Sequence, residues 1–166
     1  MLDFERCYEE HAGPLFRFLT LRLGDRSLAE DLVADTFERV LRHRRRFDAK
    51  RASEKTWIYG IALNLLRDHV RREGAKAKAF EQDPVAGEQT DAGGAFDRLL
   101  ASDELAKALR VLTDEEREVV ALRYAGDLTL PEIARVIGEK DSTVEGRIYR
   151  ALRKLRAQLD AETTVG

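Results

Sequence analysis

The residues best placed to do chemistry in this 166-residue chain are cations at helical spacing rather than a nucleophile or an acid–base set. From Thr143 to Leu159, the apolar residues Val144, Ile148, Leu152, Leu155 and Leu159 recur at i, i+4, i+8, i+11 and i+15. That is one stripe of a helix turning about 100° per residue, and it is expected to be buried. Arg147, Arg150, Arg153 and Lys154 fall away from the stripe, in one sector with Thr143 and Gly146. Such a face offers cations, a hydroxyl and a position with no side chain, which suits the major groove of duplex DNA. A second set lies upstream. Along Lys55 to Arg72, Trp57, Ile58, Ile61, Ala62, Leu65 and Leu66 share a broad face, and Gly60, Asn64, Arg67 and Arg71 gather opposite. A cationic, amide-bearing face with aromatic side chains nearby can follow phosphates and hold unstacked bases. For Trp57, Tyr59 and Phe47 two readings stay open, a base-stacking ring or a core aromatic.

Both faces depend on the helices that hold them. Before the basic C-terminal helix, Leu130 to Ile137 places Ile133, Ala134 and Ile137 on one side, and Gly138 stands where a helix ends in the left-handed region. Asp141 or Ser142 then caps the next helix. Two amphipathic helices around a short glycine turn, the second cationic, predict a helix-turn-helix. An ordinary helical hairpin with a solvated basic face is the competing reading. Leu112-Thr113-Asp114-Glu115-Glu116 opens a preceding helix with a capping box between Thr113 and Glu116. Val119, Val120, Leu122 and Tyr124 form its apolar side and Gly126 ends it. Phe96 to Leu112 repeats the spacing through Leu99, Leu100, Leu105, Ala108, Leu109 and Leu112, giving this domain four helices.

In the N-terminal half, Phe4 to about Leu23 turns Phe4, Tyr8, Leu15, Phe16 and Leu19 inward, with a bend or restart at Gly13-Pro14. The next helix opens at Ser27-Leu28-Ala29-Glu30-Asp31 and carries a stripe of Leu28, Leu32, Val33, Phe37, Val40 and Leu41. Asp31, Asp35 and Glu38 form an acidic edge along its outside, either a solubilising face or a docking surface for a basic partner.

The predicted fold class is all-α, with two small helical domains joined by a flexible linker. The boundaries are 1–73, an acidic linker 74–95, a second domain 96–160 and a tail 161–166. The linker region, from Glu73 to about Ala95, contains Gly74, Pro84, Gly87, Gly93 and Gly94 with Glu81, Asp83, Glu88 and Asp91 and few large apolar residues. Although the net charge is −2, the stretch Arg39 to Arg72 holds eleven Lys/Arg against three Asp/Glu. Charge is segregated, and a local excess of that size points to a polyanion. Cys7 is the single cysteine, which excludes an internal disulfide and fits a reducing compartment. His11, His43 and His69 show no Cys/His spacing suited to zinc, so no metal site is expected. No apolar run reaches the length of a signal peptide or a membrane span, so no membrane insertion is expected and the chain is placed in the cytoplasm, on the nucleoid when active. There is no phosphate-binding glycine loop, no recognisable catalytic set and no expected cofactor.

Three segments together carry a family resemblance: Ala29-Glu-Asp-Leu-Val-Ala-Asp-Thr-Phe-Glu-Arg-Val-Leu41; Lys55-Thr-Trp-Ile-Tyr-Gly-Ile-Ala-Leu-Asn-Leu-Leu-Arg-Asp-His-Val-Arg-Arg72; and Leu112-Thr-Asp-Glu-Glu-Arg-Glu-Val-Val-Ala-Leu-Arg-Tyr124 followed by the helix-turn-helix. In this order the chain resembles the small, two-domain extracytoplasmic-function (ECF) group of bacterial RNA polymerase sigma factors, over nearly its whole length.

The resemblance implies a transcription initiation factor that binds core RNA polymerase, directs it to promoters and helps melt the minus-ten element without hydrolysing a nucleotide. By position, Asp31, Asp35, Glu38, Arg39 and Arg42 would meet the clamp of the largest subunit, and the C-terminal domain the flap of the second-largest. Phe47, Lys50, Arg51, Lys55, Thr56, Trp57, Asn64, Arg67 and Arg71 would act at the minus-ten element, partly on single-stranded DNA. Ser142, Thr143, Glu145, Gly146, Arg147 and Arg150 would read the minus-thirty-five element as duplex. An anti-sigma factor is an implied partner. The chain departs from the family's pattern at Glu54, where an aromatic is common, and at Glu145-Gly146, where Lys-Ser is common. Glu145 either accepts a hydrogen bond from a cytosine amino group or flanks the core. Gly146 in a helix costs about 1 kcal/mol relative to Ala, which a close approach to the DNA backbone would explain. Two readings compete with the resemblance. A conventional duplex-binding helix-turn-helix regulator shares the Leu112–Val120 pattern, but the N-terminal half lacks the strands of a receiver domain. A protein-binding helical adaptor leaves the basic stretch without a role.

Overall fold

The helices begin where a side chain can stand in for a missing backbone partner. In the computed structural model, which describes residues 1–74 and 102–165, Asp3 accepts from the Arg6 N–H and opens α1 (Phe4–Leu23). Asp25 does the same for Leu28 at the start of α2 (Arg26–His43). The sequence placed this start at Ser27, but the aspartate two residues earlier makes the bond. A single 3-10 turn, Arg44–Arg46, follows. The Ser53 hydroxyl oxygen accepts from the Thr56 N–H at 3.2 Å as α3 (Glu54–Gly74) begins. In the second half, Ser102 caps α4 (Asp103–Arg110). Thr113 and Glu116 form the expected capping box at α5 (Asp114–Val120), which runs into a π-helical turn, Ala121–Ala125. Thr129 and Glu132 repeat the device at α6 (Leu130–Ile137), and α7 spans Asp141–Val165. Gly24 and Gly138 end α1 and α6 at φ 70° and 73°, the left-handed region that favours glycine. No strand occurs among the described residues.

Several expectations shift. Pro14 does not restart the first helix, which runs on to Leu23. Asp141 and Ser142 lie inside the first turn of α7, whose Thr143 and Val144 N–H groups donate to the Lys140 carbonyl at 3.0 and 3.1 Å. The stripe of α7 is buried only at its start: Val144 and Ile148 are covered, whereas Leu152 and Leu159 are 41% and 46% exposed. Spacing identifies an apolar face but not the length of the partner covering it. Residues 161–165, expected as a tail, continue α7. Tyr8 and Leu41 are exposed as well, Tyr8 resting edge-on against Phe37 at 4.9 Å. The proposed linker lies outside the described residues except for Gly74, the last residue of α3, and so do residues 96–101 of the predicted fourth-from-last helix.

The interior is continuous across both halves. Leu15, Phe18 and Leu19 of α1 meet Val40 of α2 and Ile58, Tyr59, Leu63 and Leu66 of α3, all fully buried or nearly so. Val119, Leu122, Leu128, Ile133, Val144 and Ala151 fill the second half. The halves join where α1 lies along the π-helical turn and α3 along α6. Tyr59 sits at this seam against Phe18, ring centroids 5.6 Å apart. A methyl group on Gly126 would come within 3.1 Å of Tyr59 Cε1 and 2.9 Å of the Leu122 carbonyl oxygen. Gly126 therefore lets the two halves approach. At the rim, Arg22 faces Glu118 at 3.7 Å and Asp114 at 4.0 Å. Lys55 Nζ donates to the carbonyl of Asp127, a non-glycine residue at φ 56°. The two helical domains expected from the sequence are present, and they pack against each other through apolar inner faces.

Gly126 has φ −81° and ψ −15°, which alanine adopts freely. Without the contacts, Gly126→Ala would gain about 0.4–1 kcal/mol by restricting the unfolded chain. With them, overpacking of about 1–3 kcal/mol prevails. Urea unfolding of Gly126→Ala is expected to show a lowered midpoint, and an unchanged or raised midpoint would contradict the close approach.

Candidate nucleic-acid interface

On α7, the predicted duplex-reading residues divide into those that face solvent and those already engaged. Ser142, Glu145 and Arg150 are exposed, and Thr143 and Gly146 are partly so. Arg147 is only 17% exposed and pairs with Glu115 at 3.6 Å and Glu139 at 3.5 Å, holding α7 against α5 and the α6–α7 turn. Lys154, expected among the outward cations, turns back to Glu116 at 2.6 Å. Burial opposes the charge on Glu116, yet the bonds from Lys154 and Thr113 hold its carboxyl below the ordinary range. Glu145 faces solvent and does not flank the core. The exposed Arg150 guanidinium folds over Gly146, with Nη1 3.3 Å from where a Cβ would stand. Tyr149, which the sequence reading passed over, is 63% exposed beneath the Arg153 guanidinium, 5.9 Å from its ring centroid. Its phase beside Arg150 and Arg153 was the available signal.

The second face is built around the end of α2 and the start of α3. Phe47 and Trp57 lie 5.3 Å apart with their rings tilted by 48°, both partly buried, so each has one side on the core and one toward solvent. The loop between them is ordered by its own polar groups. Asp48 accepts from the Lys50 N–H at 2.9 Å and, through its carbonyl, from the Arg51 N–H at 3.0 Å. Lys50 and Arg51 project outward. Asn64, Arg67 and Arg71 are exposed along α3, with Arg71 paired to Asp68. Two predicted contacts are committed elsewhere. Thr56 is buried, its hydroxyl donating to the Ser53 carbonyl at 3.0 Å, and Lys55 is held by Asp127. Tyr59 is core, and burial, with the Asp127 carboxylate next, pushes its phenol far above the ordinary value.

The acidic edge of α2 is open. Asp31, Asp35, Glu38, Arg39 and Arg42 are all exposed, and Glu38 and Arg42 pair at 2.7 Å across one turn. No described helix is long and apolar enough to cross a membrane. Away from these faces, Cys7 and His11 of α1 meet Glu54 at the start of α3. Burial, and then the Glu54 carboxylate, push the Cys7 thiol up to about 11, so it is protonated at neutral pH and no ready nucleophile.

Both halves of the chain have counterparts among known proteins. Residues 7–76 match the family model of sigma-70 region 2, and residues 102–155 that of sigma-70 region 4. The ECF RNA polymerase sigma factor SigL of Mycobacterium tuberculosis is 30% identical over 156 residues, covering 92% of this chain and 86% of that protein. The ECF sigma factor BldN of Streptomyces coelicolor is 31% identical over 159 residues, covering 92% of this chain, which spans only 58% of BldN's length. Among solved structures, CnrH in complex with the cytosolic domain of CnrY aligns with a TM-score of 0.69 at 29% identity, over 95% of this chain and 88% of that one. The sigma factor RpoE of Bartonella quintana, in complex with the anti-sigma factor NepR, shares the fold with a TM-score of 0.80 at 24% identity, over 95% and 97% of the two chains. The chain belongs to the ECF RNA polymerase sigma factors and is a transcription initiation factor. The region 2 match disfavours a conventional duplex-binding regulator.

Arg147 and Arg150 of α7 are expected to behave differently before any DNA is added. Arg147→Ala removes two partly shielded ion pairs and should cost about 1 kcal/mol, whereas Arg150→Ala should stay within about 0.5 kcal/mol of the parent. Equal losses in urea unfolding would contradict this division.

Proposed function

We propose that the chain engages one promoter in two ways, with the Phe47–Arg71 face on parted strands at the minus-ten element and the start of α7 on the minus-thirty-five duplex. The observation that carries this is the pairing of the half-open Phe47–Trp57 rings with the exposed row Asn64, Arg67 and Arg71. Rings open on one side can hold an unstacked base, and the row beyond them can follow the backbone. Unpairing and unstacking cost a few kcal/mol per step, offset by capture of the exposed bases. On α7 the direct contacts fall to Ser142, Thr143, Glu145 and Arg150, with Arg147 serving chiefly to seat the helix. The exposed edge of Asp31, Asp35, Glu38, Arg39 and Arg42 is the surface for core polymerase.

This role requires the packed halves to separate. Two elements about 25 base pairs apart lie about 85 Å apart along B-DNA at 3.4 Å per step. In the packed form Lys55 and Asp127 are in hydrogen-bond contact, so one face alone can engage. Among the described residues the seam also leaves the buried Tyr59 hydroxyl without a partner, a cost of about 1–3 kcal/mol that opening relieves. A packed form of this kind is the species an anti-sigma factor would hold, in the way that the sigma factor RpoE is found in complex with the anti-sigma factor NepR.

Added to core polymerase, the chain is expected to start transcription from a defined promoter without a nucleotide-hydrolysis step before opening. Arg150→Ala should weaken upstream duplex binding and reduce the slope of log K against log salt by about 1. Trp57→Ala and Asn64→Ala should leave that binding intact and suppress permanganate reactivity in the melted region. If all three variants damaged both steps alike, the division of labour would be wrong.

A further inference from the structure

The face of α1 that meets the start of α3 has a use neither promoter recognition nor polymerase binding calls on. We propose that Cys7, His11 and Glu54 form a binding site for one thiophilic divalent transition-metal ion, with zinc the best match. Cys7 and His11 stand four residues apart on α1 and so share one side of the helix. Glu54 comes from the other helix, where the Ser53 cap sets the start of α3. The thiol sulfur, an imidazole nitrogen and a carboxylate oxygen lie within 4.8 Å of one another, with His11 Nε2 3.8 Å from Glu54 Oε2. Zinc bonds of about 2.0–2.3 Å at tetrahedral angles set ligand atoms about 3.3–3.8 Å apart. Closing the site therefore takes side-chain adjustments of about an ångström.

The donor set and its surroundings agree with this assignment. A sulfur, an imidazole nitrogen and a carboxylate oxygen together favour a borderline ion such as Zn²⁺ over Mg²⁺ or Ca²⁺, which take oxygen ligands. Cys7 is fully buried, while the His11 and Glu54 side chains are 15% and 21% exposed, so the pocket is shielded at its base and open at its rim. The fourth position falls to water or to Glu10, whose carboxylate is 3.8 Å from His11 Nε2 and faces solvent. Arg6 now donates to both Glu54 and Glu10 from an exposed position and can swing outward as the ion takes its place. On binding, the ion takes the thiolate of Cys7 and the displaced proton goes to solvent. Glu54 supplies from α3 the ligand that no spacing within α1 provides. An ion here joins α1 to the helix start that follows the Asp48–Ser53 loop, beside Trp57.

Titration of the full-length chain with Co²⁺, kept reduced by a phosphine, tests the site. The expected result is one equivalent bound with a near-ultraviolet thiolate-to-cobalt charge-transfer band and the visible bands of a four-coordinate ion, both abolished by added Zn²⁺. Cys7→Ser should remove the charge-transfer band, and His11→Gln and Glu54→Gln should each weaken binding by about tenfold or more. Arg6→Gln should tighten it, because Glu54 is released from its guanidinium partner. Glu54→Gln lies at the rim and keeps the test valid should Cys7→Ser unfold. Absence of the band, its persistence in Cys7→Ser, or loss of binding in His43→Gln rather than His11→Gln would overturn the proposal and leave the cluster as an ion-pair network only.

Discussion

The contact on which the arrangement depends is the approach of Tyr59 to Gly126. An aromatic ring of α3 packs against the second half of the molecule at Gly126, where the absence of a Cβ admits it. Phe18 supports the ring from behind, and Leu128 and Ile133 close the far side of the core. Large apolar side chains hold the seam, since burying an aromatic ring is worth more than the rim ion pairs of Arg22. Yet the seam also shuts in a phenolic hydroxyl that has no partner among the described residues, and it ties Lys55 to a backbone carbonyl. An interface that is apolar at its centre and imperfect in its polar groups is cohesive without being irreversible. That suits the proposed role, in which two binding faces act far apart.

Cations in this chain divide by what surrounds them. Arg147 and Lys154 are drawn inward by Glu115, Glu139 and Glu116, and they fix the angle at which α7 leaves the hairpin. Arg150 and Arg153 lie over Gly146 and Tyr149 at the surface, and Arg67 stands exposed on α3. The first group ties α7 to the helices beside it, and the second leaves charge open to solvent. Helical phase alone places Arg147 and Arg150 in one sector, but the acids that separate their roles come from other helices.

The same distinction explains what the chain's sequence discloses. Thr113 with Glu116, Gly138 and the amphipathic faces of α2 and α3 were legible because caps, glycine ends and helical periods are written within a few neighbouring residues. The family resemblance extended this to the order of the helices. Features that depend on distant partners were not legible. Glu116 reads as a capping residue, and nothing nearby reveals that Lys154 also binds it. The α7 stripe reads as buried to Leu159, although the described core stops covering it after Ala151 and Leu155. Cys7 and His11 look unsuited to a metal until Glu54 is brought beside them. The closed seam rests on Gly126, which the sequence marked only as a helix end.

Separation of the two halves on the promoter is the claim with the most direct test. Spin labels at Val70→Cys on α3 and Leu152→Cys on α7, both exposed positions, report the distance between the halves, with the buried Cys7 left unlabelled. Pulsed dipolar measurements should give one short distance in the free protein and a distance longer by tens of ångströms in the complex with core polymerase and promoter DNA. The same short distance in a complex active in transcription would contradict the account.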